Sequence, residues 1–125
     1  MDQNQIIHIT ALLIHVAKID DNYSQKEKEL IKKFLSSSLS DKDLEKSFNE
    51  AENLEKNSND ILIFTKKLKK MSIDEKAKII KDLWIIIISD NSISMYEDTI
   101  IKKICGLIYF PVYLSNKIKE EISTQ

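Results

Sequence analysis
Two stretches of this chain, seventy residues apart, repeat one pattern. Residues 12–35 and 82–105 share seven identical positions: Leu13/Leu83, Asp20/Asp90, Ser24/Ser94, Glu27/Glu97, Ile31/Ile101, Lys32/Lys102 and Lys33/Lys103. In each, an apolar run ends, a short polar turn opens with Asp, and an apolar-faced helix begins after Ser. The pattern constrains the fold because the apolar spacing on both sides of each turn is helical. The segments that follow also align after a five-residue insertion, Leu39-Ser40 with Leu114-Ser115. The chain therefore reads as two helix–acidic turn–helix units, about residues 5–55 and 73–123, joined by a further helix over 58–70. Two copies with so long a period do not make a solenoid. A pseudo-symmetric, all-α compact bundle of about seven helices in one domain, 1–125, is the expectation.

The remaining pattern supports helices throughout. Ile6, Ile9, Leu13 and Val16 mark the first, and Leu30, Ile31, Phe34 and Leu35 the second. Ser40 is placed to cap a third, with Leu44, Phe48, Ala51 and Leu54 as its stripe. The polar turn Lys56–Asn59 leads to a fourth, bearing Ile61, Phe64, Thr65 and Leu68. Ser72 and Glu75 form a capping box for the fifth. Pro111 breaks the chain before a short seventh helix, which Ser115 is expected to cap. The run Ile85–Ile88 is β-branched and invites a strand, yet no Gly, Pro or Asn separates it from the helical stripe of Ile73, Ala77, Ile80 and Trp84. It reads as helix buried on all sides. That makes the fifth helix central and its Trp84 a core residue. One Gly and one Pro in 125 residues also disfavour a turn-rich β fold.

Composition excludes several function classes. All 19 basic residues are Lys, so no guanidinium is present for bidentate phosphate or carboxylate recognition. A net charge of −1 gives no global attraction to nucleic acid or to an anionic membrane. The longest apolar run, Leu83–Ile88, is far short of the ~20 residues that span a bilayer, so no membrane insertion is expected. Met1 leads into polar residues rather than a signal sequence, and the single Cys105 permits no internal disulfide. Together these point to a cytoplasmic protein.

The acidic turns are the best candidates for chemistry. If the turns meet, Asp20, Asp21, Glu27, Asp90 and Glu97 offer five carboxylates to a hard cation, Ca²⁺ or Mg²⁺ rather than Zn²⁺. Oxygen side chains alternate in Asp20-Asn22-Ser24 and Asp90-Ser92-Ser94, like the first half of an EF-hand loop. The second half fails: Gln25 and Met95 stand where Gly is needed, and Ile31 and Ile101 where a bidentate Glu is needed. The same residues have a purely structural reading. Ser24-x-x-Glu27 and Ser94-x-x-Glu97 are both capping boxes, which use each Glu without any metal, and the Asp residues suit turn hydrogen bonds.

The doubled turns resemble the "A-x-A-D-G … E" signature of the TerB-like family, the tellurite-resistance protein B group. The stretch 51–108, with its Leu83-Trp84 pair, is similar to that family's middle and C-terminal half, and the resemblance covers about residues 8–122. It implies an all-α bundle, acidic residues that bind a divalent cation, a link to tellurite or other chemical stress, and no established enzyme activity. By motif position the acids carry over to Asp20, Glu27, Asp90 and Glu97. Asp21 and Asn91 replace the family's Gly, and both tolerate the left-handed backbone that Gly would supply.

Other residues carry less. His8 and His15 stand about 10.5 Å apart along one helix and cannot share an ion. Cys105 continues the inward stripe of Ile101, Ile104 and Ile108 as a core thiol. Lysines gather around helices four and five, acids in residues 41–60. Tyr109-Phe110-Pro111-Val112-Tyr113 is an apolar connector that either packs under the bundle or docks a protein partner. No nucleophile–base set, Gly-rich phosphate loop or Cys/His cluster is present. Two readings stand: a metal-responsive, non-enzymatic stress module that docks a partner, and an interaction bundle whose acids are only caps.

Overall fold
The computed structural model describes residues 2–19, 23–89 and 95–123. Among them it contains seven α-helices and no strand: α1 Gln3–Ala17, α2 Gln25–Ser36, α3 Asp41–Lys56, α4 Leu62–Thr65, α5 Ile73–Ile88, α6 Met95–Ile108 and α7 Val112–Ser123. The all-α expectation holds, and Ile85–Ile88 is helical.

Side-chain caps set most helix starts. Gln5 N–H donates to Asp2 Oδ1 at 2.7 Å, and Asp2 N–H to Gln5 Oε1. Ser72 and Glu75 make the expected reciprocal pair at the head of α5. Ser40 caps α3 through Asp43 N–H at 3.4 Å. Each satisfies backbone donors that have no partner inside the helix.

Two expectations are corrected. The joining helix, read over 58–70, is one α turn, Leu62–Thr65, followed by a 3₁₀ turn, Lys66–Leu68. Asp60 captures Leu62 N–H at 3.0 Å, and the Thr65 hydroxyl donates back to the Ile61 carbonyl at 3.2 Å. Such local side-chain bonds compete with a continuous helix. Apolar periodicity alone did not reveal them. Ser115 does not cap α7. The helix begins at Val112, directly after Pro111, whose carbonyl accepts from both Leu114 and Ser115 N–H. Proline's fixed φ suits a helix start, so Pro111 opens the helix rather than merely ending the previous one. Ser115 lies one turn in and is buried.

α1 packs most extensively on α3, α5 on α7, and α1 and α5 meet directly. Ile80, Leu83, Trp84 and Ile87 are buried as predicted. α1 is as central as α5: Ala11, Leu12, Leu13, Ile14 and Val16 are buried on every side, and α1 also touches α2, α4 and the 3₁₀ turn. At the heart of the second half, the Trp84 indole N–H donates to Ser115 Oγ at 3.0 Å. Ser115 also bonds the Cys105 thiol, although burial dominates and pushes that thiol above its usual range. Cys105 is thus a core group, as expected from its stripe.

The α6–α7 corner is unusual. Phe110 N–H donates to the Cys105 carbonyl at 2.8 Å and Tyr109 N–H to that of Gly106 at 3.4 Å. This is the Schellman arrangement, in which the residue after the helix adopts left-handed backbone and is most often Gly. Here Tyr109 occupies it, with φ 61°, while its side chain is 70% exposed. A left-handed tyrosine costs roughly 1–2 kcal/mol. Tyr109→Gly is therefore expected to raise stability by about 1 kcal/mol in urea titration; a loss of stability would show that the exposed ring contributes to the fold.

Candidate functional site
The five predicted acids divide. Glu27 and Glu97 are described and are almost wholly buried, 2% and 5% exposed. Asp20, Asp21 and Asp90 lie outside the described residues, as does Ser94. The first capping box forms as expected: Glu27 Oε1 accepts from Ser24 N–H at 3.0 Å, and Ser24 Oγ accepts from Glu27 N–H at 3.2 Å. The second cannot be compared, because Ser94 falls outside.

The first turn of α2 and the end of α5 come together. Lys26, one residue before Glu27, reaches across to donate from Nζ to the Ser89 carbonyl at 3.0 Å. Ser89 immediately precedes Asp90. A lysine on a helix's last carbonyls is electrostatically favourable. It also joins the flank of one acidic turn to the flank of the other.

Residues from α3 that the sequence pattern did not single out meet Tyr23 and the end of α1. The Tyr23 hydroxyl donates to Glu52 Oε2 at 3.2 Å. Its phenol is pushed well above the usual range, first by burial, then by the Glu52 charge and hydrogen bond, with Glu55 and Glu27 adding to it. Glu55 is buried and takes two partners from the end of α1, the Lys18 ammonium Nζ at 2.7 Å and His15 Nδ1 at 3.4 Å. Burial of a carboxylate is tolerated when it is paired in this way. One signal was available. Counting by helical steps from Leu44 through Phe48 and Ala51 leads to Glu55, so the buried stripe ends in an acid; Leu54, placed in that stripe from sequence, is only half-buried. Near the second turn, Asp98 pairs with Lys102 at 3.1 Å and with Lys119 at 3.8 Å.

The two histidines are separately occupied. His8 Nδ1 lies 2.8 Å from the Asn4 carbonyl, while His15 faces Glu55 and the Phe64 ring. Among the described residues no group of three or more His, Cys, Asp or Glu side chains is arranged to hold a metal.

A cleft of about 250 Å³ opens between α1, α2 and α5 over Ile6, Ile9, Leu13 and Phe34. Asp82 stands at its edge, bound to Lys78 at 3.0 Å. Burial raises its carboxyl pKa, with Lys78 and then Lys81 opposing. The folded protein thus holds this proton more tightly than the unfolded chain does. Asp82 should therefore lower stability as pH rises from the ordinary aspartate pKa through the folded one, and that loss should persist above it. Asp82→Asn is expected to be more stable than wild type at pH 7 and equal to it at pH 3, measured by urea titration. A variant weaker than wild type at pH 7 would show that the Lys78 pair outweighs desolvation.

The family model for tellurite resistance protein TerB matches residues 6–120, nearly the whole chain. The chain belongs to the TerB family, and its helical fold agrees with the bundle that the sequence resemblance implied. Comparison with curated proteins and with solved structures returned no match.

Proposed function
We propose that this protein is a non-enzymatic stress-response module of the tellurite-resistance type, which holds a divalent cation at its two acidic turns and docks a protein partner. Family membership supports the general role. The observation that carries the cation reading is the Lys26–Ser89 bridge between the flanks of the two turns, together with burial of Glu27 and Glu97 at equivalent repeat positions. The donor chemistry fits a hard cation. Asp20, Asp21, Glu27, Asp90 and Glu97 offer only carboxylate oxygens, and no imidazole or thiolate joins them in the sequence of either turn, which suits Ca²⁺ or Mg²⁺ better than Zn²⁺. When bound, such an ion would cross-link the two turns through charge. The chain's own contribution would be to orient Glu27 from the head of α2 and Glu97 from the first turn of α6, in units related by an approximate two-fold rotation.

A second reading has its own support. Ser24 and Glu27 satisfy each other as a complete capping box, which accounts for Glu27 in an interaction bundle with no metal. Calorimetric titration with Ca²⁺, Mg²⁺, Mn²⁺ and Zn²⁺ separates the two. Saturable heat from Ca²⁺ or Mg²⁺ is expected; no heat from any of the four would leave the acids as helix caps.

A further inference from the structure
The cleft between α1, α2 and α5 has no part in the proposed function. Its floor is apolar: Ile9, Leu13 and Ile79 are buried beneath it, and the half-buried Phe34 ring lines one side. Its polar lining consists mostly of acceptors. The Thr10 hydroxyl donates to the Ile6 carbonyl at 2.7 Å and the Ser37 hydroxyl to the Phe34 carbonyl at 2.9 Å, so both oxygens have only lone pairs left to offer. Asp74, Glu75 and Asp82 bring three carboxylates against one ammonium, that of Lys78. That ammonium is already committed, to Asp82 Oδ2 at 3.0 Å and to the face of the Phe34 ring at 5.7 Å. Asp82 Oδ1 has no donor among the described residues, although this side chain is only 10% exposed. An oxygen so buried calls for a hydrogen-bond partner.

We infer that the cleft binds a small lipophilic amine, with its apolar body on Ile9, Leu13 and Phe34 and its protonated amino group on Asp82 Oδ1. Volume, charge and donor balance select this class. A space of about 250 Å³ exceeds the ~150 Å³ in which a wholly apolar cavity takes up benzene. It therefore holds one aromatic ring with a short alkyl arm. The surplus of carboxylates repels a carboxylic acid or a phosphate, whereas an ammonium gains a charge-assisted hydrogen bond. A bare metal cation fits less well, because no group of three or more acidic side chains among the described residues is arranged to hold one. An alkylammonium needs only one carboxylate beside an apolar wall. Apolar walls with a few convergent polar groups are the usual composition of small-molecule sites. Neither Glu27 nor Glu97 lines the cleft, so the inference stands apart from the cation reading of the acidic turns.

The test is an NMR titration of the isotope-labelled full chain with phenylpropylamine, in an amine-free buffer at neutral pH. Phenylpropanol and phenylpropionate, which keep the ring and change the head group, are titrated beside it. Saturable shifts of the amides around Ile9, Leu13, Phe34 and Ile79 are expected with the amine. The alcohol should bind about tenfold more weakly, the value of one charge-assisted hydrogen bond, and the carboxylate more weakly still. Asp82→Asn should lose about the same tenfold toward the amine and change little toward the alcohol. The spectrum of each variant shows directly that it is folded, so a loss of binding is not a loss of structure. Glu50→Gln, on the exposed side of α3, should bind the amine as wild type does. Absence of saturable shifts with the amine would leave Asp82 Oδ1 to water and overturn the proposal. Shifts centred elsewhere, alcohol or carboxylate bound as tightly as the amine, undiminished amine binding by Asp82→Asn, or an equal loss in Glu50→Gln would also overturn it.

Discussion

Trp84→Ala is expected to destabilise the protein by about 3–5 kcal/mol, the range for emptying a large buried aromatic site. Domains of this kind have about 5–15 kcal/mol in total, so the variant should sit close to unfolding, with a melting temperature lower by roughly 10–20 °C. The indole is 1% exposed. It lies where α5 meets α7, the most extensive contact of α5, with Lys119 Nζ 4.9 Å from its ring. Part of its contribution is polar. Ser115→Ala keeps the packing but leaves a buried N–H without its acceptor, at about 1–3 kcal/mol. In a Trp84→Phe background the same serine replacement should be much milder, because no indole N–H remains to be stranded. Urea titrations of the four proteins measure this coupling. If Trp84→Ala cost less than about 1 kcal/mol, α5 would not be the central helix of the second half.

The second large effect is a gain. If the acidic turns hold a cation, an excess of Ca²⁺ or Mg²⁺ at a hundred times its dissociation constant should add about 2.7 kcal/mol of stability. Two substitutions separate ligand from cap. Glu97→Gln retains an oxygen that can serve a capping box but loses the charge that a hard cation requires. It should leave the metal-free protein nearly as stable as before and abolish most of the cation-induced gain. Ser94→Ala should do the opposite: about 0.5–2 kcal/mol lost with or without metal, and most of the gain retained. Thermal melts with and without excess divalent ion supply the readout. A wild-type protein that gains nothing from any ion would remove the chemical basis of the proposed function and favour the capping reading.

The sequence was legible where one periodicity dominated. α1, α2, α3, α5 and α6 follow from apolar stripes, with Ser caps at α2, α3 and α5, and Ile80, Leu83, Trp84 and Ile87 are core because their stripe has no polar interruption. It misled where two local signals competed. Leu39-Ser40 and Leu114-Ser115 align in the repeat, yet only Ser40 caps a helix, because Pro111 starts α7 one turn earlier and carries Ser115 into the core. Thr65 and Asp60 cut the joining helix short through side-chain bonds that an apolar pattern does not register. Repeat spacing singled out Glu27 and Glu97, both of which are buried. Glu55 and Glu52 were not singled out, because a partner acid supplied from another helix has no mark in the local sequence. Tyr109 read as an apolar connector residue; only its backbone angle sets it apart.

The short α4 and its 3₁₀ extension have a consequence for how the molecule opens. The two halves are connected by a segment with little continuous helix, but they are held together elsewhere, by the direct packing of α1 on α5. Amide protons of residues 62–71 should therefore exchange with solvent through small local openings, ahead of those in α1 and α5, which wait for global unfolding. Ile61, Phe64 and Leu68 are buried anchors along this strap, so it should reseat after each opening. Native-state hydrogen exchange would show the order. Simultaneous release of the strap and both central helices would mean that the connection and the core form one cooperative unit.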